Sequence, residues 1–183
     1  MNILITGVHG FVGSNLVKAL VPEHTIFGLD IVAPKKEGVK KTFFWEDLPS
    51  TSLGQSQLLD FQKIDAIIHL AGKAHDTRNK SAADVYFKVN TGLTQRIFDW
   101  FLTSKSAKKF IFFSTVKSAA DRVEGEFLTE ECVPTPVGPY GESKIKAEDY
   151  IIEHFAPEAL KRPYHNFNDS DSIIKDKQVY IMR

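Results

Sequence analysis

Short apolar runs alternate with longer stretches of helical spacing along most of the chain. Asn2–Thr6 is an apolar run that ends in glycine and reads as a strand buried on both faces. Phe11–Val21 places Phe11, Leu16, Val17 and Leu20 at helical spacing and stops at Pro22. His24–Asp30 reads as a second strand, Lys41–Trp45 as a weaker third and Ala66–Leu70 as a fourth. From about Ser81 to Ser104 the spacing turns helical again, with Val85, Val89, Leu93, Ile97 and Leu102 near one face. Phe110–Phe113 reads as a fifth strand, followed by a proline-bearing loop from Thr115 to Pro139, a helix to about Phe155, and a sixth strand at Val179–Met182. The segment Ala156–Asp176 is polar, carries Pro157 and Pro163, and reads as an irregular surface excursion.

Strands that alternate with helices predict a parallel sheet covered on both faces, because parallel strands need long crossovers. At 183 residues the chain suits one domain. Twenty-three basic residues balance twenty-three acidic ones, so no net field draws it toward nucleic acid or an anionic membrane. One cysteine, Cys132, excludes an internal disulfide and suits a reducing compartment. The opening Met1–Gly7 is too short for a membrane span and lacks a basic leader, which predicts a cytoplasmic protein. No internal repeat or low-complexity tract stands out.

Candidate chemistry begins at Gly7-Val8-His9-Gly10-Phe11-Val12-Gly13, where the first strand passes into the first helix. Glycines there permit a tight turn and let backbone approach a pyrophosphate, while the following helix aims its free N–H groups at the anion. A glycine triplet alone often marks an ordinary turn; the strand before and helix after it sharpen the signal. Asp30 ends the second strand about 20 residues further on, where a carboxylate can hydrogen-bond a ribose 2′-hydroxyl and repel a 2′-phosphate. It favours NAD over NADP, a preference that Lys35 and Lys36 soften. A strand-end aspartate serving a turn is the plainer alternative.

Tyr140-Gly141-Glu142-Ser143-Lys144 puts Tyr140 and Lys144 on one face of a helix through their i,i+4 spacing. A free phenol, with a pKa near 10, is a poor base at neutral pH, and a neighbouring ammonium stabilises its phenolate. The pair also arises by chance on many surface helices. Ser114-Thr115 directly follows the fifth strand, at the carboxyl end where ligands of open parallel sheets gather. There a hydroxyl can hold a substrate oxygen, or simply bond the local backbone.

In order and spacing these segments resemble the extended short-chain dehydrogenase/reductases, the NAD-dependent epimerase/dehydratase family. The matching stretches are Thr6–Gly13, Asp30, Asp65–Gly72, Val89-Asn90-Thr91, Phe112–Thr115 and Pro139–Lys144. They cover the chain from Met1 to about Phe155 and resume at Val179–Arg183. The resemblance implies a Rossmann-type doubly wound sheet and a single NAD(P)-binding domain over residues 1–183. It implies catalytic roles for Thr115, Tyr140 and Lys144. It places cofactor contacts at Gly7, His9, Gly10, Phe11, Val12, Gly13, Asp30, Leu70, Ala71, Gly72, Asn90, Tyr140 and Lys144, and at Asp47 and Leu48 against the adenine.

The implied activity is that of an NAD-dependent nucleotide-sugar epimerase, with a nucleotide sugar as partner and a homodimer formed through the helices near 81–104 and 140–155. Two departures qualify it. Val116-Lys117-Ser118-Ala119-Ala120 replaces the Tyr-Gly pair that many sugar epimerases carry after the catalytic hydroxyl. With Lys73-Ala74-His75, this resembles the branch acting on N-acetylhexosamine donors for surface polysaccharides. The family also continues past a strand like Ile181-Met182-Arg183 into a substrate-binding region, which implies that this chain is a fragment lacking it. A dehydratase, a keto-reductase and a non-catalytic nucleotide sensor on the same fold stay open. A dehydratase often carries an acidic pair where Val116-Lys117 stand.

The remaining residues read plainly. His69 is expected as a packed core histidine, and His9 as a turn residue facing solvent or packing locally. His75, His154 and His165 lack metal-ligand spacing, and Cys132 has no acid–base partner nearby in sequence. Phe43-Phe44-Trp45 and Phe110–Phe113 read as core strands.

Overall fold

The computed structural model describes residues 1–48, 63–73, 82–123, 125–129, 132–161 and 172–183. They form two compact units, Met1–Ala71 with Arg96–Phe113, and Gly72–Gln95 with Ser114–Arg183.

The first unit holds β1 (Asn2–Thr6), α1 (Phe11–Leu20), β2 (Thr25–Asp30), β3 (Val39–Phe44), β4 (Ala66–His69) and β5 (Lys109–Phe113). These five strands are parallel and lie in the order β3-β2-β1-β4-β5. Strand order therefore reverses between β1 and β4, and the crevice beyond the carboxyl ends of those two strands is where such sheets take ligands.

Alternation along the strands divides the core into two layers. Ile3, Ile5, Ile26 and Ala66 join Val8 and Val17 in one cluster, so α1 covers that face. Leu4 is level with Ile67, and Ile67 with Phe110, on the other face. There Phe110 meets Phe98 and Phe101 at ring-centroid distances of 5.0 and 5.3 Å. Both rings come from α3 (Leu93–Thr103). Helices on both faces of a parallel sheet make this a Rossmann-type doubly wound α/β fold.

Two helical expectations shift in phase. Phe11 shares the helical spacing of Leu16, Val17 and Leu20, yet it is 87% exposed, while Gly13 and Val17 are buried. The helix expected over 81–104 comprises α2 (Ala83–Tyr86), a π-turn (Phe87–Gly92) and α3. Its buried positions are Tyr86, Asn90, Thr94, Ile97, Phe98, Trp100 and Phe101, whereas Val85 is exposed. A π-turn holds one residue more than regular winding, so a single 3.6-residue stripe cannot run through it.

The second unit also holds α4 (Gly138–Phe155), β6 (Gln178–Met182) and a 3-10 turn at Val116–Ser118. Helix α4 starts before Tyr140 because Pro139 fits its first turn, where the missing N–H has no intrahelical partner. Of the excursion over 156–176, residues 162–171 lie outside the described residues, as do His75 and His165. Its start is a 3-10 turn, Pro157–Lys161, and its return is tied down where Ile173 N donates to Phe155 O at 2.9 Å. No helix among the described residues is long and apolar enough to cross a membrane.

Candidate functional site

In the first unit the chain leaves β1 through Gly7, whose φ of +68° is left-handed backbone that glycine adopts without strain. Gly7 N donates to Leu29 O at 2.8 Å, and Gly7 O accepts from Gly10 N at 3.0 Å. A Cβ on Gly13 would stand 2.5 Å from Gly7 O and 2.9 Å from Val8 Cα, so α1 is pressed against the turn. The first turn of α1 has no side-chain cap and no acidic residue. Its leading N–H groups and positive dipole end can therefore receive an anion.

Asp30 is held at the end of β2. Its Oδ2 accepts from His9 N at 3.0 Å and its Oδ1 from Ile31 N at 2.8 Å. Each oxygen retains a lone pair for a ribose hydroxyl. Thus the expected contact His9 acts on Asp30 through its backbone, while its ring lies 3.5 Å from Thr42 Oγ1. Phe11 and Val12 are exposed beside the turn. Lys36 Nζ donates to Ser14 Oγ at 2.8 Å, bringing a cation to the first turns of α1. A turn that a Cβ would fill, followed by an uncapped helix and a pinned carboxylate, fits a dinucleotide.

Thr6 closes the other side of this turn, a role that its lone hydroxyl did not signal in the sequence. Its Oγ1 accepts from Leu70 N at 3.1 Å and Ala71 N at 2.9 Å, which leaves its own hydrogen for His69 Nδ1 at 2.6 Å. The proton of a neutral His69 then sits on Nε2. His69 is fully buried, stacked 5.6 Å from Phe112 and edge-on to Trp45. It is a packed core residue, as its strand-end position suggested. Leu48 is buried, and Arg96 Nη2 binds the carbonyls of Trp45 and Leu48 at 2.7 and 2.6 Å. Asp47 ends the 3-10 turn Trp45–Asp47; its side chain lies outside the described residues.

The second unit gathers Thr115, Tyr140, Lys144, Asn90 and Gly72. Asn90 is 1% exposed and lies within the π-turn. Its Oδ1 accepts from Lys73 N at 2.7 Å, and its Nδ2 reaches Lys73 O at 3.2 Å and Ser143 Oγ at 2.9 Å. Ser143 Oγ donates to Tyr140 O at 2.8 Å, and Thr91 Oγ1 donates to Ser143 O at 2.8 Å. Asn90 therefore holds both the segment after Gly72 and the first turns of α4. Gly72 is exposed. Tyr140 presents its ring edge-on to Tyr86 at 6.3 Å, and Lys73 Nζ sits 5.4 Å from the Tyr86 centroid.

Lys144 is 5% exposed. Burial pulls its pKa down from 10.5 to about 8, and the Glu148 carboxylate opposes that fall. Thr115 has extended backbone, and its Oγ1 accepts from Lys117 N at 3.3 Å, capping the Val116–Ser118 turn. That turn lies tight on α4, since a Cβ on Gly141 would stand 2.4 Å from Lys117 O. A hydroxyl, a phenol and a buried ammonium thus sit on two segments in direct contact, a set suited to moving a proton at a substrate oxygen.

Comparison with known proteins identifies the family. The model of the NAD dependent epimerase/dehydratase family matches residues 3–161. A UDP-glucose 4-epimerase of Vibrio cholerae is 30% identical over 163 residues, 82% of this chain and 46% of that protein. The low-salt glycan biosynthesis protein Agl12 of Haloferax volcanii is 25% identical over 179 residues, 91% of this chain and 57% of its own length. The UDP-glucuronic acid 4-epimerase of Bacillus cereus, solved in complex with UDP-glucuronic acid and NAD, is similar at a TM-score of 0.62 and 26% identity, over 82% of this chain and 51% of that one. The chain spans about half the length of the curated relatives it matches. Matched over residues 3–161, the chain belongs to the NAD dependent epimerase/dehydratase family.

Proposed function

We propose that residues 1–183 form an NAD-binding domain serving a nucleotide-sugar 4-epimerase, with a UDP-hexose or UDP-N-acetylhexosamine for surface polysaccharides as substrate. The observation that carries this reading is Lys144, an ammonium buried one helical turn from Tyr140 and brought to a pKa of about 8. Relatives named as UDP-glucose and UDP-glucuronic acid 4-epimerases support the substrate class.

The glycine turn and the N-terminus of α1 hold the pyrophosphate, and Asp30 takes the adenosine ribose hydroxyls. NAD, when bound, supplies the acceptor and donor of a hydride. Tyr140, as phenolate, removes the proton of a sugar hydroxyl as the carbon becomes a ketone, and returns it after the opposite face has been presented. Thr115 Oγ1 donates to the developing carbonyl oxygen. Lys144 keeps a positive charge beside the phenolate and binds the second ribose. Val116 and Lys117 stand where a dehydratase would want acids, and Lys117 is itself paired with Asp121 at 2.6 Å.

Calorimetric titration with NAD+ and NADP+ tests the cofactor half: NAD+ should bind more tightly, and equal affinities would remove Asp30 as the selector. Tyr140→Phe tests the chemistry. In the protein carrying its substrate-binding region, interconversion of UDP-glucose or UDP-N-acetylglucosamine with its 4-epimer should fall by about 10²–10⁴ while NAD+ still binds. Undiminished turnover would sink the role of Tyr140. NAD+ binding with no turnover of either sugar, both by this chain and by a version carrying the substrate-binding region, would favour a nucleotide sensor.

A further inference from the structure

Glu148 lies on α4, one turn beyond Lys144, and is fully buried. Donors from two segments distant in sequence surround its carboxylate. Oε1 receives the hydroxyls of Ser114 and Ser118, the latter at 2.5 Å. Oε2 receives Nε and Nη2 of Arg183 at 2.8 and 2.6 Å. Ser114 and Ser118 bracket Thr115. Ser118 Oγ also stands 2.7 Å from Thr115 O, and Ser114 N donates to Met182 O at 2.7 Å. A buried carboxylate is costly unless its lone pairs are satisfied, and removing one partner strands the others. Here one carboxylate joins the segment after β5, the end of β6 and the helix of Tyr140 and Lys144.

We propose that Glu148 is a positioning residue, fixing the Ser114–Ser118 turn that carries Thr115 onto the helix that carries Tyr140 and Lys144. This rests on the reading of Thr115, Tyr140 and Lys144 as the proton-handling set. The same carboxylate also favours the charged form of Lys144, against burial. Glu148 therefore sets both where the hydroxyl stands and how long the ammonium survives as pH rises. The other charged or titratable groups on segments packed against α4 include Asp84, Tyr86, Lys88, Lys117, Glu158 and Arg183. Glu148→Gln changes none of these side chains, although Arg183 loses its charged partner.

The test uses the 183-residue chain with 13C-labelled lysine, titrated by NMR, together with amide hydrogen exchange. In Glu148→Gln the Lys144 midpoint should fall by about one pH unit, a roughly tenfold loss of proton affinity. Exchange at the Ser114 and Ser118 amides should quicken at least about tenfold, while the β1 amides keep their rates. A midpoint that stays in place, or unchanged exchange at those amides, overturns the proposal. An unfolded variant is recognised by a midpoint rising toward 10.5 and fast exchange throughout. The Ser114→Ala/Ser118→Ala double variant then decides. It keeps the carboxylate, so exchange at positions 114 and 118 should quicken with the Lys144 midpoint unmoved; unchanged exchange overturns the proposal. Neither readout needs turnover, so the clamp can fail while the epimerase reading stands, or the reverse.

Discussion

The two units treat polar groups in different ways. Around the glycine turn the first unit relies mostly on main-chain groups: Gly7, Gly10 and Gly13 bring amides and carbonyls together, Asp30 is pinned by two main-chain N–H groups, and Thr6 Oγ1 takes two more. The second unit relies on side chains held by side chains. Asn90, Ser143, Ser118, Glu148 and Arg183 form hydrogen bonds spanning up to 53 residues of sequence. A backbone cradle needs little more than missing Cβ atoms and the correct turn. A buried polar network needs every member present, because each unmet donor or acceptor costs about 1–3 kcal/mol. The first kind of construction fails by steric overlap, and the second by loss of charge or of a partner.

Lys144→Met should separate the two most clearly. Below pH 8 Lys144 is charged in both folded and unfolded chains, and its burial costs stability. Between about 8 and 10.5 the unfolded chain holds more protons at this site than the folded one, so wild-type stability rises with pH. The variant, lacking the group, should be the more stable of the two at pH 7. Its lead should narrow by on the order of 3 kcal/mol by pH 10.5, at ~1.4 kcal/mol per pH unit, as read by urea unfolding. A constant gap would mean that Lys144 is not desolvated.

Gly13→Ala probes the opposite construction. Both nearest obstacles to the new methyl are backbone, so the expected loss is about 2–3 kcal/mol with no dependence on pH, together with weakened NAD+ binding. Wild-type affinity in this variant would mean that α1 can slide away from the turn. Asp30→Asn should have the smallest effect. An amide keeps one oxygen for a main-chain N–H and sets an NH2 against the other, and it no longer repels a 2′-phosphate. The ratio of NAD+ to NADP+ affinity should fall about tenfold, ~1.4 kcal/mol, by calorimetry.

The same contrast governs what was legible in the sequence. The strand–glycine–helix order and Asp30 could be read because they fall within one strand–helix–strand unit of recognisable spacing, and because alternating strands and helices leave few topologies. Tyr140 and Lys144 fall on one helix, as their i,i+4 spacing predicted, but spacing alone did not single them out; the resemblance did. Glu148 could not be read: a lone glutamate on a helix looks like a solvated charge, and Arg183 lies 35 residues away. Nor could Thr6, whose hydroxyl gains meaning only when β4 lies beside β1. The stripe of Val85, Val89 and Leu93 misled for a different reason, since hydrophobic periodicity presumes constant winding and Phe87–Gly92 breaks it.

That break makes residues 83–103 a helix of two phases. Removing a single residue within Phe87–Gly92 would restore uniform winding and swing everything upstream by about 100°. Tyr86 would leave its place beside Tyr140, although the helix itself would gain regular hydrogen bonds. The surplus residue is thus a phase setter, trading local regularity for the direction in which an aromatic ring points. A deletion that made this helix better as a helix would make it worse as a support for Tyr140.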